Sequence, residues 1–304
     1  MIVEVAAAVM QRADGAFLLA QRPPGKVFAG FWEFPGGKIE PGEPAAQALA
    51  RELHEELGIE VLCAYPWITR VFSYPHATVR LNFFRVSAWK GEPHPNEQQA
   101  IAWQRPGARM AAPMLPANAP VLASLALPTE YAITQAARLG TAEMLARLRQ
   151  RLEQGLKLLQ VREPELREDE RSLFTRQVLG LAHRYGCKVM VKSAFPGADG
   201  IHLTASRLMS LERRQRDLLV AASCHNREEL ERAMRLELDF AVLGPVKATA
   251  SHQAAPVLGW DGFAQLAKGA SIPVYAIGGL QREDMDDAWR AGAHGLAMIR
   301  GSWA

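Results

Sequence analysis

The stretch GGKIEPGEPAAQALARELHEELGI, residues 36–59, joins a glycine-rich loop to one strongly patterned helix. At 100° per residue the helix shows a single apolar stripe, made of Ala46, Leu49, Ala50, Leu53 and Leu57. Pro44 suits the first helical position and Gly58 suits the C-terminal cap. The pattern therefore predicts a helix from Pro44 to Leu57 with one face on a core.

Glu52, Glu55 and Glu56 fall on one arc of this helix, beside the apolar stripe. Like charges three or four residues apart cost a helix roughly 0.2–0.5 kcal/mol per pair. A solvated acidic face is the simplest interpretation, but the preceding loop favours another. Its Gly36-Gly37 and Pro41-Gly42 pairs permit a tight turn that brings carbonyl oxygens near the helix start. Carboxylates with a backbone oxygen suit Mg²⁺ or Mn²⁺, ions that commonly bridge to substrate phosphates.

The whole chain has the composition of a soluble globular protein long enough for two domains, with 304 residues, 49% hydrophobic and 22% charged. A net charge of +3 gives no reason to expect stable nucleic-acid binding. Cys63, Cys187 and Cys224 are far apart and show no CxxC spacing, which favours neither disulfides nor zinc. Glu4 and the short apolar runs argue against a signal peptide or membrane span, and we expect the N-terminal stretch to form a first strand. We expect a cytoplasmic protein without a membrane partner.

Residues 1 to about 125 show short strands around the single strong helix, which predicts an α+β or α/β sandwich. The Pro- and Ala-rich segment 105–121 predicts a loop followed by a short closing helix.

From residue 131 onward, apolar strands alternate with helical stretches. Eight strand-then-helix units predict a (β/α)₈ barrel whose ligand site lies at the C-terminal strand ends. The strands are YAIT, LKLLQVRE, CKVMVKS, GIHLT, LLVAASCH, FAVLGPV, PVYAIGG and GLAMIRG. We place the domain boundary near Leu127-Pro128, giving domains 1–127 and 128–304.

The spacing from Gly37 through Glu43 to residues 51–59 matches every fixed position of the Nudix hydrolase box. Residues 1 to about 125 resemble the MutT type of that family, the 8-oxo-dGTP diphosphatases. The resemblance implies an α/β/α sandwich that hydrolyses a nucleoside triphosphate to the monophosphate and pyrophosphate, a role in nucleotide-pool sanitising that links to DNA replication and repair.

The same resemblance implies that Glu52, Glu55, Glu56 and the Gly37 carbonyl bind divalent metal. It makes Arg51 and Glu43 structural members of the box, Arg51 orienting carboxylates through charge-assisted hydrogen bonds. Glu97 matches a further acidic residue that completes the metal site or helps to deprotonate water. The alternative for Glu97 is an exposed loop carboxylate.

Substrate residues also follow from the MutT resemblance. Asn118 matches an asparagine that contacts the edge of an oxidised guanine, since an amide both donates and accepts hydrogen bonds. The other matching positions line the base pocket or contact polar groups of the nucleotide, and they are Phe34, Tyr74, Val79 and Arg22. Asn118 has the alternative of a turn or cap residue, and the apolar residues the alternative of a core role. Ala77 stands where the family has a contacting arginine.

Two rival interpretations of the first half stay open. One is a Nudix hydrolase of another nucleotide derivative, and the other is a nucleotide sensor. The complete set of box carboxylates argues against a sensor, because binding alone does not require every member.

The second half resembles thiamine phosphate synthases and the related thiazole tautomerases. The resemblance rests on six segments: Tyr131–Thr134, Gln160-Val161-Arg162, residues 199–203, Ser223 with His225, Gly244-Pro245 and Ile277-Gly278-Gly279. Gly278, Gly279, Arg300 and Gly301 end the last two strands, where barrels commonly bind phosphate. The implied ligand is a phosphate-bearing thiazole. The glycines have the alternative of relieving packing.

Departures from that family are as informative as the matches. Pro164 replaces a lysine, Ser193 and Arg207 replace two metal-binding aspartates, and His252 replaces a phosphate-contacting lysine. Pro245 stands where tautomerases have a catalytic histidine.

Two hypotheses follow for the barrel. One is a non-synthase module that binds a phosphate ligand or acts as a scaffold. The other is an active enzyme of thiamine metabolism with His202, His225 or His252 as acid–base groups.

Overall fold

The computed structural model describes residues 2–107, 110–249 and 256–303. Contacts within the chain divide it into two compact units between Ala126 and Leu127. No helix among the described residues is long and apolar enough to cross a membrane.

The first unit contains seven strands and two α-helices among its described residues. They are β1 (Ile2–Met10), β2 (Phe17–Gln21), β3 (Trp32–Glu33), β4 (Gly36–Lys38), α1 (Ala45–Leu57), β5 (Glu60–Ser73), β6 (Thr78–Lys90), β7 (Ile101–Gln104) and α2 (Ala119–Leu125). A 3₁₀ turn, Pro116–Asn118, precedes α2.

Strand β1 is central to this unit. It pairs in parallel with β6 and antiparallel with β4, in a four-stranded sheet of order β4-β1-β6-β5. Its side chains alternate between two cores: Ala6, Ala8 and Met10 pack with α1, whereas Ala7 and Val9 pack with residues of α2. A second sheet has the order β3-β2-β7. The arrangement confirms the predicted sandwich.

Strand β4 lies in the stretch that the sequence predicted only as loop. Gly36 has φ +139°, and a Cβ there would lie 2.1 Å from the Ala6 carbonyl oxygen. Glycine therefore permits the close backbone pairing with β1, which fixes the loop against the sheet.

The second unit is a closed parallel barrel with the strand order β10-β11-β12-β13-β14-β15-β8-β9. Its strands are β8 (Glu130–Ile133), β9 (Leu158–Gln160), β10 (Lys188–Val191), β11 (Gly200–Leu203), β12 (Leu219–Cys224), β13 (Phe240–Leu243), β14 (Val274–Ile277) and β15 (Gly295–Met298). Its α-helices are α3 (Ala136–Leu139), α4 (Thr141–Glu153), α5 (Glu168–Ala182), α6 (Ala205–Ser210), α7 (Arg227–Arg235), α8 (Gly259–Ala267) and α9 (Met285–Arg290).

Large side chains fill the barrel interior, among them Tyr131, Phe240 and Tyr275. All eight predicted strands are present, but the regular alternation with helices is not. Residues 192–199 join β10 to β11 without a helix, because Pro196-Gly197 forms a turn there. A short 3₁₀ turn, Arg300–Ser302, follows β15.

Candidate active site and barrel cavity

Helix α1 presents the box carboxylates. It begins at Ala45 with Pro44 as the N-terminal cap, and Gly58 ends it in the left-handed conformation, φ +67°. The buried positions are Ala48, Leu49, Leu53 and Leu57. The predicted stripe was wrong at Ala46, which is exposed, and at Ala50, which is half-buried. Ala46 lies in the first turn of α1, whereas Ala48, which the predicted stripe omitted, is fully buried.

Gly37 and Glu52 are in close approach. A Cβ on Gly37 would lie 2.1 Å from both Cδ and Oε2 of Glu52. Since ordinary contacts of a Cβ are at least about 3.4 Å, only glycine leaves space for this carboxylate. The loop and the helix therefore meet at two of the predicted metal-binding positions.

Arg51 holds the carboxylates on one side of α1. Its Nε and Nη2 donate to the two oxygens of Glu43, each at 3.0 Å, and Nη1 donates to Glu52 at 2.8 Å. Nη2 also reaches the Lys38 carbonyl at 3.0 Å, and Nη1 reaches Glu55 at 3.4 Å. The hydrogen bonds that Arg51 donates to Glu43 and Glu52 raise its pKa above the usual value. The guanidinium thus ties the loop to the helix.

Glu56 lies on the more buried side. Its Oε2 accepts a hydrogen bond from the Gly36 N–H at 3.2 Å. Burial raises the pKa of Glu56 to about 7, and the charges of Glu33 and Glu97 add to the rise. Gly36 and Lys26 act in the opposite direction. Burial, more than the neighbouring charges, therefore disfavours the ionised form of this carboxylate.

Glu97 reaches this region through the loop after β6. Asn96 and Gln99 anchor the loop, because their N–H groups donate to the Glu56 carbonyl, each at 3.0 Å. Glu97 itself pairs with Lys26 at 2.8 Å, and both side chains are partly exposed.

The donor set fits a divalent cation. Glu52, Glu55 and Glu56 on α1 and Glu97 on the loop after β6 carry the hard carboxylate oxygens that Mg²⁺ and Mn²⁺ prefer as ligands. Among the described residues, however, no three acidic, histidine or cysteine side chains are already grouped as a metal site. Arg51 draws Glu52 and Glu55 to one side, whereas Glu56 bonds to Gly36.

The predicted substrate residues have different environments. Arg22 forms a two-point ion pair with Glu33, at 2.8 and 2.7 Å, and also donates to the Val27 carbonyl. Phe34 is 3% exposed and packs between Phe17 and Phe83.

Tyr74, Val79 and Asn118 complete the predicted substrate set. Tyr74 is half-buried, and Val79 is half-buried on β6. Asn118 is 4% exposed at the N-terminus of α2. Its side chain makes no capping hydrogen bond and approaches Met114 Sδ at 3.9 Å. A capping role does not account for this buried amide.

The sequence pattern did not predict the aromatic cluster that surrounds Tyr74. Phe28 contacts Phe31, Tyr74 and His76, and Tyr74 contacts Phe72. Phe28 has φ +60°, a conformation that costs energy for a non-glycine residue. The sequence pattern also did not predict that Lys26 and Glu33 lie near Glu56. The acidic residue within the aromatic stretch FWEF was the one available signal for Glu33.

The barrel carries a cavity of about 650 Å³ at the C-terminal strand ends. Gly278, Gly279, Arg300 and Gly301 all line it. The alternative role for the glycines, to relieve close packing, applies to Gly278, because a Cβ there would lie 2.6 Å from Pro245 Cβ. Gly279 has φ +63° and is exposed, and a Cβ there would lie 2.6 Å from the Ala248 carbonyl oxygen, so close packing applies to it as well.

A hydrogen-bonded chain links two residues of the cavity lining, His202 and Ser223, to Tyr131 in the barrel interior. Tyr131 Oη lies 2.9 Å from His202 Nδ1, and His202 Nε2 lies 2.9 Å from Ser223 Oγ. Burial lowers the pKa of His202 to about 3, with the charge of Arg162 adding to the effect. His202 therefore stays neutral at physiological pH, which disfavours it as a proton acceptor.

The other two histidines differ. His225 is exposed at the cavity, and its Nδ1 lies 3.0 Å from Glu229. His252 lies outside the described residues.

The cavity does not suit a metal ion. Ser193 and Arg207 line it at the positions where the resemblance places metal-binding aspartates. Two acidic residues are in the described lining, Glu163 and Glu168. Glu163 accepts hydrogen bonds from the backbone N–H groups of Ala136 and Ala137, and Glu168 pairs with Arg171. No carboxylate in the described lining is left for a cation.

Comparison with known proteins covers both units. The family model described as NUDIX domain matches residues 6–124, and the model described as thiamine monophosphate synthase matches residues 130–301.

The similar relatives fall into two groups. A CTP pyrophosphohydrolase of Escherichia coli (strain K12) is 40% identical over 121 residues, covering 40% of this chain and 89% of the relative. An 8-oxo-dGTP diphosphatase of Haemophilus influenzae has the same identity and coverage. A putative thiamine-phosphate synthase of Aquifex aeolicus is 29% identical over 180 residues, covering 57% of this chain and 96% of the relative.

Proposed function

Because the chain belongs both to the Nudix hydrolases and to the thiamine monophosphate synthase family, we propose that its first domain, residues 1–127, hydrolyses 8-oxo-dGTP to 8-oxo-dGMP and pyrophosphate. The observation that carries this proposal is the fit between Gly37 and the Glu52 carboxylate, with Arg51 holding Glu52 in place. The role is nucleotide-pool sanitising, which avoids mutation during DNA replication.

Nudix hydrolases use divalent metal ions, and we propose Mg²⁺, or Mn²⁺, for this chain. Glu52, Glu55, Glu56 and the Gly37 carbonyl would hold the ion. When bound, the ion neutralises phosphate charge and lowers the pKa of water.

The protein side chains then have separate tasks. Arg51 holds the Glu52 carboxylate in place, because two hydrogen bonds to Glu43 restrict the position of its own guanidinium. Glu97 would accept the proton of the attacking water on its carboxylate oxygen. Lys26 pairs with Glu97 at 2.8 Å. Once Glu97 is protonated by the attacking water, this ion pair would weaken and Lys26 could contact the substrate phosphates.

Base recognition is proposed for the buried amide of Asn118, because no capping bond occupies it. Phe34, Tyr74 and Val79 would supply the apolar walls of the base pocket. Arg22 would contact polar groups of the nucleotide, at the cost of its ion pair with Glu33.

A second candidate is hydrolysis of another nucleotide, because the CTP pyrophosphohydrolase relative is as similar as the 8-oxo-dGTP diphosphatase. A panel of 8-oxo-dGTP, dGTP, CTP, ADP-ribose and dinucleoside polyphosphates, each with Mg²⁺, separates the candidates. Glu52→Gln and Glu56→Gln should abolish turnover of the preferred substrate while the unfolding midpoint is retained. Full activity in either variant would refute the reaction class.

For the barrel domain, residues 128–304, we propose a phosphate-binding module that is not a synthase. The described lining of the cavity offers no free carboxylate for a metal ion, which supports this view. Gly278, Gly279, Arg300 and Gly301 are the proposed phosphate contacts. The full chain should fail to restore growth of a bacterial strain that lacks thiamine phosphate synthase. Restored growth would favour the alternative, an active enzyme of thiamine metabolism.

A further inference from the structure

The loop of residues 94–99 covers the C-terminal end of helix α1. The last four backbone carbonyls of an α-helix have no partner within the helix and must find one elsewhere. The Glu55 carbonyl accepts a hydrogen bond from Asn96 Nδ2, and the Glu56 carbonyl accepts one from Asn96 N, both at 3.0 Å. The loop is therefore attached to the turn of α1 that carries two of the proposed metal ligands.

Gln99 is the buried residue of this loop. Residues 94–98 are all exposed, whereas Gln99 is only 5% exposed. Its Nε2 donates to the Glu56 carbonyl at 3.0 Å, and its Oε1 accepts the backbone N–H of Glu97 at 2.8 Å. Because an amide donates and accepts at the same time, this one side chain links the backbones of Glu56 and Glu97.

The backbone between these contacts is strained. Gln98 has φ +61°, a left-handed conformation that is unfavourable for a residue with a Cβ. Such residues persist where the surrounding contacts determine the backbone more strongly than the local preference does. The hydrogen bonds of Asn96 and Gln99, on either side of Gln98, supply these contacts. The loop therefore holds one defined conformation against α1.

We propose that Gln99 is a positioning residue, whose amide sets the place of Glu97 relative to Glu56. The inference rests on the proposed function, in which Glu97 accepts the proton of the attacking water. The Glu97 side chain has only a partly exposed ion pair with Lys26, and exposed ion pairs restrain a carboxylate weakly. The link through Gln99 instead acts on the backbone that carries the carboxylate.

A purely structural role is the alternative, because Gln99 also satisfies a carbonyl in the last turn of α1. Gln104 provides a matched control, since its amide also bonds to two backbone groups. Its Nε2 donates to the Trp103 carbonyl at 3.2 Å, and its Oε1 accepts the Ala111 N–H at 2.9 Å. Methionine replaces either glutamine at similar length and without the amide groups.

Hydrogen exchange of the Glu97 backbone N–H, followed by NMR in the full chain without metal, tests the link itself. Gln99→Met should raise this exchange rate by about tenfold or more, because the N–H loses its acceptor. Gln104→Met should leave the rate unchanged. An equal rate in Gln99→Met and the unmodified chain would overturn the inference.

Kinetics with Mg²⁺ and the preferred nucleotide test the consequence for the reaction. Gln99→Met should lower kcat by about tenfold or more and change KM by less than about twofold, whereas Gln104→Met should keep both values. Both variants should lower the unfolding midpoint to a similar extent, so a loss of kcat in Gln99→Met alone reports position rather than stability.

A double-mutant cycle connects this loss to Glu97. Gln99→Met should add almost nothing to the loss caused by Glu97→Gln. Additive losses, or full kcat in Gln99→Met, would overturn the inference. An active chain in which Glu97→Gln keeps full activity would overturn it as well, while leaving the reaction class intact. A chain that hydrolyses none of the nucleotides in the panel would refute the proposed function and this inference with it.

Discussion

Substitution of Gly37 by alanine tests how the loop is matched to helix α1. The added Cβ would lie 2.1 Å from Cδ and Oε2 of Glu52 and 2.4 Å from Oε1. Gly37 does not have a positive φ, so alanine suits its backbone and only space is limiting. To reach an ordinary contact, the Glu52 carboxylate must move by about 1 Å or more.

The expected effect is large on catalysis and small on folding. A misplacement of about 1 Å in a catalytic group costs roughly 100-fold in rate, or about 2.7 kcal/mol of transition-state stabilisation. The helix keeps its buried face of Ala48, Leu49, Leu53 and Leu57, so the unfolding midpoint should change little. The measurement is kcat at saturating Mg²⁺ together with denaturant unfolding.

A double-mutant cycle with Glu52→Gln isolates the cause, with rates taken from single-turnover reactions at high enzyme concentration because this variant lacks steady-state turnover. If the alanine acts by displacing Glu52, it should add almost nothing to the loss already produced by Glu52→Gln. Additive losses in the double variant would refute this reasoning, as would full activity of Gly37→Ala alone.

Three further predictions concern Arg51, Asn118 and His202. Arg51→Lys removes the two-point contact with Glu43, and we expect activation to require about tenfold more Mg²⁺; an unchanged Mg²⁺ titration would count against the role of Arg51. Asn118→Ala should reduce the preference for 8-oxo-dGTP over dGTP by about tenfold or more with little change for dGTP, measured as kcat/KM; an unchanged preference would exclude base recognition by this amide. The folded barrel keeps His202 neutral, with its pKa lowered from 6.5 to about 3, whereas the unfolded chain takes up a proton below pH 6.5. Unfolding free energy of the barrel should therefore fall by about 2 kcal/mol between pH 7 and pH 5 in urea titrations, and His202→Gln should lack this decrease; an equal decrease in the variant would contradict the assignment.

The parts of the fold that could be predicted are those with a side-chain pattern. Helix α1 has an apolar stripe and both caps, and the barrel strands are apolar runs at regular intervals. Strand β4 has no such pattern, because its three residues pair with β1 through close backbone contact at glycine. Pro196-Gly197 favours a turn between β10 and β11. The prediction of eight regular strand-then-helix units nevertheless placed a helix there.

The candidate site also has one part that the sequence pattern predicts and one part that it does not. The spacing of Gly37, Arg51 and the glutamates predicts that one loop and one helix carry these groups, and the structure brings Gly37, Arg51 and Glu52 together. Glu56 bonds separately to Gly36. The ion pair of Lys26 with Glu97 and the packing of Phe28 on Tyr74 depend on loops that meet from distant parts of the sequence. Local spacing contains no information about such contacts, so only the structure reveals them.

The most direct test of the proposed function is a competition between 8-oxo-dGTP and dGTP at equal concentration with Mg²⁺. The ratio of the two monophosphates formed early in the reaction equals the ratio of kcat/KM values. A buried amide that reads the oxidised base should favour 8-oxo-dGTP by at least about 100-fold. A ratio near one, or faster hydrolysis of CTP added to the same mixture, would contradict the assignment.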